Sequence, residues 1–240
     1  MNSSSVLVAR FRAPLQTWSV SQGRRRGTEA FPTKSSIVGI CARSLGIDLS
    51  DREAWAKLVE LRLGVRADRP GQLVTEYQSS GGGTLSGKRY FVAREDGAES
   101  IAQRWLEFLG DACFLVCLEG RRGLLDELGV ALDSPARCWG LGKLACPPVR
   151  PVFLDILDCG LEEALGAYGL VDEYGNVPIS VGAEWGTRGE GRGDGTLQRR
   201  FDVPVDFVER RYSSRFVRVG RVEVEEVAKT VCGSSSEEAS

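Results

Sequence analysis

The sequence predicts an α+β fold, because two different spacings of apolar residues occur along its 240 residues. Short apolar runs rich in β-branched residues indicate strands. Apolar residues three or four positions apart indicate helices that bury one face. Both patterns occur in the first half of the chain, and strand-like runs dominate the second half.

The first elements are a strand, a loop and two helices. The apolar run Val6–Arg12 predicts a strand that ends at Ala13-Pro14. Pro32–Ser35 then opens a helix in which either Thr33 or Ser35 serves as N-cap, and Gly46 ends it. The capping box Ser50–Glu53 predicts the start of a second helix.

The next elements complete a β-α-β-β-α-β order, with one extra helix. Alternating polarity over Leu61–Ala67 predicts a half-buried strand. Residues Gly71–Arg104 have no steady period and form a long excursion, after which Ala112–Leu118 predicts a strand and Gly123–Leu132 a helix. Counting elements to Pro148 yields the ferredoxin-like arrangement, interrupted by the excursion.

This order suggests three segments. Residues 1–148 form the ferredoxin-like body with an insertion at about 71–104. Residues 149–228 form a β-rich C-terminal part that also holds a short helix near Leu161–Tyr168 and a glycine-rich loop, Gly186–Gly195. The polar tail 229–240 is expected to be disordered.

Composition narrows the class of protein. A hydrophobic content of 42% is enough for a core, and no apolar stretch approaches the roughly 18 residues of a membrane span. We therefore expect a cytoplasmic protein without a membrane partner. The seven cysteines include no CxxC pair and there is no histidine, so buried reduced thiols are expected and neither metal nor cofactor is.

The charges are segregated along the chain although the net charge is only −2. Basic residues dominate between Arg10 and Lys34 and again between Arg192 and Arg221, whereas acidic residues dominate between Asp155 and Glu190. Such segregation favours one face that binds an anion. It leaves open whether that anion is RNA or a protein.

Candidate RNA contacts come from three kinds of residue. Arg24, Arg25 and Arg26 precede a helix N-terminus carrying Thr33, Lys34 and Ser35, where free amides favour phosphate; an ordinary solvated loop is the alternative. Trp18, Tyr77 and Trp105 could stack on bases or belong to the core. Gly142 could let the backbone beside Lys143 approach a phosphate.

The absence of histidine argues against an enzyme. It excludes Ser/His/Asp and Cys/His hydrolases. Metal-independent RNA cleavage usually needs a group that exchanges protons near pH 7, and histidine is the common one. A Tyr/Lys or Lys/Lys pair remains an alternative.

Several motifs resemble those of the Cas-five subunits of type I-E CRISPR Cascade complexes, in the RAMP superfamily. They are Ala13–Trp18 (APLQTW), Phe31–Ser35 (FPTKS), Glu99–Ile101 with Trp105, Asp111–Phe114 (DACF) and Leu141–Pro147 (LGKLACP). The resemblance implies a ferredoxin-like (RNA-recognition) body whose protruding β-hairpin thumb is the 71–104 excursion.

The same resemblance implies a function. Such a subunit caps the 5′ handle of the CRISPR RNA (crRNA), contacts the backbone subunit CasC and the large subunit CasA, and meets target DNA only through the complex. In type I-E systems another subunit, CasE, processes the precursor, which favours a non-catalytic role; a processing endoribonuclease and a protein-only scaffold are the alternatives. The expected RNA contacts are Gln16, Trp18, Arg24, Arg25, Arg26, Thr33, Lys34, Ser35, Tyr77, Arg104, Trp105, Gly142, Lys143 and Arg211.

Overall fold

A computed structural model describes residues 5–22, 25–81, 84–89, 91–93, 99–167, 180–186, 195–207 and 209–224. The predictions for Arg24, for most of the loop Gly186–Gly195 and for the tail 229–240 lie outside the described residues. None of the described helices is both long and apolar enough to cross a membrane.

The described residues form four helices and sixteen strands. The helices are α1 (Lys34–Leu45), α2 (Arg52–Glu60), α3 (Arg122–Asp133) and α4 (Leu161–Ala167). The strands are β1 (Ser5–Arg12), β2 (Leu15–Gln16), β3 (Ser19–Gln22), β4 (Arg25–Thr28), β5 (Arg62–Arg69), β6 (Gln72–Ser80), β7 (Thr84–Leu85), β8 (Lys88–Arg89), β9 (Val92–Ala93), β10 (Glu99–Ser100), β11 (Ala102–Gly110), β12 (Cys113–Gly120), β13 (Phe153–Leu157), β14 (Ser180–Gly186), β15 (Thr196–Asp206) and β16 (Arg211–Glu223).

A seven-stranded sheet in the order β13-β1-β12-β5-β14-β16-β15 is the centre of the molecule. Every neighbouring pair in it is antiparallel. Side chains alternate between its faces: Leu7 and Phe11 of β1 pack in the core with α1 and α3, whereas Val6 and Val8 pack with α4. The predicted α+β class is confirmed.

The boundary predicted at residue 148 falls inside this sheet. Strand β13 lies beyond it and pairs with β1, with Val6 opposite Leu157. Strand β14 pairs with β5 on the other side, with Ala183 opposite Arg66. The two predicted segments therefore contribute strands to one sheet.

The 71–104 excursion contains a long antiparallel hairpin. Strands β6 and β11 pair from Gln72 opposite Gly110 to Ser80 opposite Ala102, so the hairpin extends six residues past the predicted end. Gly71 has a φ of 78°, and a Cβ there would lie 2.8 Å from the carbonyl oxygen of Gly110. A glycine is thus required where the chain turns from β5 into the hairpin.

Short side chains cap the N-termini of α1 and α2. The hydroxyl of Thr33 accepts a hydrogen bond from the Ser36 amide, and Gly46 ends the helix in the left-handed conformation. In α2 the N-cap is Asp51 and not Ser50: the Asp51 carboxylate accepts from the Ala54 amide at 3.0 Å. The N-cap therefore lies one residue later than the capping box predicts.

Candidate nucleic-acid interface

A second, five-stranded sheet joins segments that are far apart in the chain. Strand β4 runs parallel to β11, with Arg25 opposite Trp105 and Arg26 opposite Leu106. On its other edge β11 pairs with β6, which places Tyr77 opposite Trp105. The basic segment and two of the three candidate aromatic residues therefore lie on neighbouring strands.

Tyr77 and Trp105 form an exposed aromatic pair. Their ring centroids are 5.3 Å apart at an interplanar angle of 53°. The exposed fractions are 51% for Tyr77 and 39% for Trp105, so both rings keep a surface free for a ligand. Because every nucleobase has a π-face, exposed aromatic side chains of this kind can stack on bases regardless of sequence.

Two cations lie beside the same strand. Arg104 is exposed on β11 and lies opposite Gln78 of β6. The Lys143 ammonium lies 4.4 Å from the centroid of the Phe108 ring, a cation–π contact. Arg104 and Phe108 are four positions apart and so point to the same side of β11, the side opposite to that of Trp105.

Gln16 and Trp18, two of the predicted RNA contacts, lie in the core and not on this surface. The Gln16 side chain is fully buried, and its amide donates hydrogen bonds to the carbonyls of Phe11 and Ala112 at 3.2 and 2.7 Å. The Trp18 ring is also fully buried, stacked on Phe11 and edge-on to Phe114. Both residues instead stabilise the core beside β1 and β12.

The N-terminus of α1 is occupied by a carboxylate from the chain itself. The Lys34 amide donates to Oδ2 of Asp202 in β15 at 2.8 Å. The hydroxyls of Thr33 and Ser35 lie 3.3 Å apart, and that of Thr33 also bonds Ser36. A phosphate predicted at this terminus would therefore compete with Asp202 for the first free amide.

Asp202 is itself part of an ionic network. Arg215 donates to Asp202 at 2.8 and 2.9 Å and to the buried Glu184 at 3.1 Å, while Arg200 donates to Glu184 at 3.0 Å. Burial alone would raise the pKa of Asp202, but the hydrogen bonds and charge of Arg215 lower it below its ordinary value. Burial raises the pKa of Glu184 despite its two arginines.

This network changes the chemistry of Lys34. Burial, followed by repulsion from Arg215, lowers the pKa of Lys34 from 10.5 to about 8, and attraction to Asp202 opposes the shift. Asp202, Glu184 and Arg215 were not predicted, because they lie about 150 to 180 residues from α1 in the chain. No local sequence pattern predicts this contact, because it forms only when β15 and β16 pack beside the N-terminus of α1.

Gly142 is required by chain packing. Its φ is 85°, and a Cβ would lie 1.5 Å from the carbonyl oxygen of Thr17. The Thr17 amide also donates to the Leu141 carbonyl at 3.1 Å. The segment around Gly142 therefore packs directly against the segment around Thr17. This close packing is a sufficient reason for a glycine at position 142, whether or not a phosphate binds there.

Arg211 begins β16, in the other sheet. Its guanidinium is exposed and forms ion pairs with Glu209 at 2.8 Å and Asp206 at 3.7 Å. The structure therefore groups it with the turn between β15 and β16, and not with Tyr77 and Trp105.

Three of the described thiols, those of Cys41, Cys113 and Cys117, are unsuited to nucleophilic chemistry at neutral pH. Burial raises the pKa of Cys41 and Cys117 to about 12 and that of Cys113 to about 11. Because the thiolate is the reactive form, these three residues are inert near pH 7.

Comparison with known proteins identifies the family. The family model described as "CRISPR-associated protein (Cas_Cas5)" matches residues 6–218. The chain belongs to the Cas5 family. The chain is also 32% identical over 160 residues to the CRISPR system Cascade subunit CasD of Escherichia coli (strain K12), covering 62% of this chain and 70% of CasD. The Cas-five resemblance predicted from the motifs, in its type I-E branch, is confirmed.

Two solved structures support the same relationship. One, described as a crystal structure of Cas protein, has a TM-score of 0.65 and 32% identity, covering 91% of this chain and 95% of its own. The other, described as a CRISPR RNA-guided surveillance complex, has a TM-score of 0.70 and 26% identity, covering 91% of this chain and 90% of its own. The structural likeness thus extends over 91% of this chain in both cases.

Proposed function

We propose that this Cas5-family protein is a non-catalytic, RNA-binding subunit of a type I-E Cascade in the cytoplasm, where it caps the 5′ handle of the crRNA. Its partners are the crRNA, the backbone subunit CasC and the large subunit CasA, and target DNA is met only through the complex. The body is of the ferredoxin-like class and the β6–β11 hairpin is its thumb. The order of four strands in the sheet supports this class. They are β13, β1, β12 and β5, which are the fourth, first, third and second strands of the β-α-β-β-α-β order.

One observation carries the proposal. Strand β4, with Arg25 and Arg26, is hydrogen-bonded to the strand that holds Trp105, and the exposed Tyr77 lies on the next strand. Single-stranded RNA readers combine positive charge along the backbone with aromatic platforms for bases. Both components occur on this sheet, and they come from segments about 50 to 80 residues apart.

Binding of a labelled 5′-handle RNA at several salt concentrations tests these two components separately. Each lost phosphate contact lowers the slope of log affinity against log salt by about 0.7 for a single strand. Replacing Arg24, Arg25 and Arg26 by Ala should flatten the slope. Trp105→Ala should keep the slope but weaken binding by about 1–3 kcal/mol, the value of one stacked base.

A matched pair sharpens this test. Arg25→Ala and Arg121→Ala remove the same charge, but Arg121 is an exposed residue at the start of α3. Only Arg25→Ala should change the salt slope. Equal slopes for these two variants and the wild type would show that Arg25 is an ordinary solvated residue that contacts no phosphate.

The alternative of a processing endoribonuclease is favoured by one feature, the pKa of about 8 at Lys34. A lysine with this pKa is partly neutral near pH 8 and could accept a proton. Against it, the Lys34 amide and ammonium lie in the network of Asp202 and Arg215. We expect no cleavage of repeat-containing precursor RNA, with or without divalent metal. Site-specific cleavage that Lys34→Ala or Tyr77→Phe abolishes would overturn the non-catalytic proposal.

A further inference from the structure

A groove separates α2 from the turn that joins β15 to β16. Its volume is about 940 Å³, and its lining includes Trp55, Val59, Val205 and Phe207. The Trp55 and Phe207 rings lie 4.4 Å apart by their centroids, tilted by 42°, and connect the two walls. A cavity of this size is large enough for a short segment of another molecule.

The rim carries apolar surface that the chain itself leaves uncovered. Val205 and Leu49, on opposite walls, are each 60% exposed. Exposed apolar surface around a pocket is characteristic of protein interaction sites.

The charges on the rim are unequal. Arg211 is paired with Asp206 and Glu209. Arg52, at the first turn of α2, makes no ion pair with any residue that the structure describes. The groove therefore offers an apolar floor together with one arginine available for a carboxylate.

We propose that this groove binds an acidic, apolar segment of another protein subunit, with apolar side chains against Trp55 and Val205 and a carboxylate on Arg52. RNA fits less well. An RNA strand needs several cations along its backbone. Among the described residues that line the groove only Arg52 and Arg211 are basic, and Arg211 is already paired with Asp206 and Glu209. The inference rests on the proposed role as an assembly subunit, but it concerns a surface separate from the Tyr77–Trp105 pair.

Photo-crosslinking in a reconstituted complex tests the proposal. Ala56 is exposed and lines the groove, so p-benzoylphenylalanine at position 56 would face the occupant. The full chain is assembled with the purified Cascade subunits of the same host, with and without crRNA, and irradiated. We expect a crosslink to a segment of another subunit that contains Asp or Glu next to apolar residues.

Two variants on the same helix provide the control. Arg52→Glu should lower the crosslink yield at least about tenfold, because like charges across an interface cost several kcal/mol. Lys57→Gln should leave the yield within about twofold, since Lys57 pairs with Glu53 and does not line the groove. An acidic residue in the first turn favours the helix dipole, so Arg52→Glu should fold, as its melting temperature would show.

The outcome is separable from that of the proposed function. The affinity of Arg52→Glu for handle RNA should match that of the wild type. If the wild-type chain binds no crRNA, the RNA proposal is refuted, but the crosslinking experiment without crRNA still tests the groove. A crosslink to RNA, to a second copy, to this chain's own tail or to nothing would overturn the groove proposal, as would a yield that Arg52→Glu leaves unchanged.

Discussion

Lys34 shows how tertiary contacts alter a residue that the sequence marks as a surface cation. The backbone amide of Lys34 donates a hydrogen bond to Asp202. Burial, and then repulsion from Arg215, lowers the pKa of the ammonium to about 8. The charged form is therefore less favourable in the folded protein than in the unfolded chain, whose lysine titrates near 10.5. The positive charge at this position costs stability at neutral pH.

Replacing Lys34 with Met should raise the melting temperature at pH 7. Between the folded pKa of about 8 and the unfolded value of 10.5, the unfolded state holds more protons, so wild-type stability rises with pH in that window. Each kcal/mol recovered is worth about 2–4 °C in a protein of this size. Thermal melts followed by circular dichroism should show the two proteins converging near pH 10.5.

Lys57→Met is the control for this effect. Lys57 is exposed, and its hydrogen bond to Glu53 raises the pKa of the ammonium. Loss of the Lys57 ammonium should leave the melting temperature unchanged or slightly lower at pH 7. A lower melting temperature for Lys34→Met at pH 7 would contradict the direction of the Lys34 shift.

At the scale of elements, the β6–β11 hairpin differs from the rest of the fold. All nine residues of β6 are exposed, including Leu73 and Val74, whereas the base of β11 buries Leu106 and Phe108. Strand β6 pairs with β11 along one edge. An exposed strand with apolar side chains is a template for pairing with another chain, which supports docking of the thumb on a partner.

Replacing Gln78–Ala98 with a short Gly/Ser linker tests this role. The change removes the outer part of the hairpin, including Tyr77's neighbour Gln78, but retains Leu106 and Phe108 at its base. The melting temperature should stay nearly unchanged, because little buried apolar surface is lost. Co-purification with CasC and crRNA should fail; entry of the shortened protein into a full complex at wild-type yield would contradict the thumb assignment.

At the scale of the whole molecule, the continuous sheet makes the two halves interdependent. Strand β13 covers one edge of β1, and α4 covers Val6 and Val8 on the face opposite α1 and α3. Phe153 of β13 also packs against α3, where a Cβ on Gly129 would lie 2.9 Å from its ring. The first half of the chain cannot bury these surfaces alone.

A chain ending at residue 148 should therefore not fold. It would expose Val6 and Val8, which are fully buried in the intact protein, and lose the strands on both sides of the β1-β12-β5 group. We expect no cooperative thermal transition for residues 1–148, whereas residues 1–224 should melt like the full chain. A native-like, cooperative transition in the shorter fragment would show that 1–148 is an independent domain.

The sequence alone determined the local elements and the family. Periodicity located β1, β5, β12 and α3 to within two residues, because each is an amphipathic or buried segment whose pattern is complete in itself. For the same reason the sequence predicted the end of α1 at Gly46 and limited its N-cap to Thr33 or Ser35, since caps act over three or four residues. The motifs around Trp18 and Gly142 identified the family correctly, although the Trp18 side chain is buried in the core.

Only the tertiary structure decided which of these residues are accessible to a ligand and which of them lie together. Gln16 and Trp18 pack in the core, Gly142 accommodates Thr17, and Asp202 fills the N-terminus of α1. Arg25, Tyr77 and Trp105 come together because β4 and β6 pair with opposite edges of β11. Side-chain burial and strand pairing depend on contacts between segments tens to hundreds of residues apart. The spacing of residues within one segment does not predict those contacts.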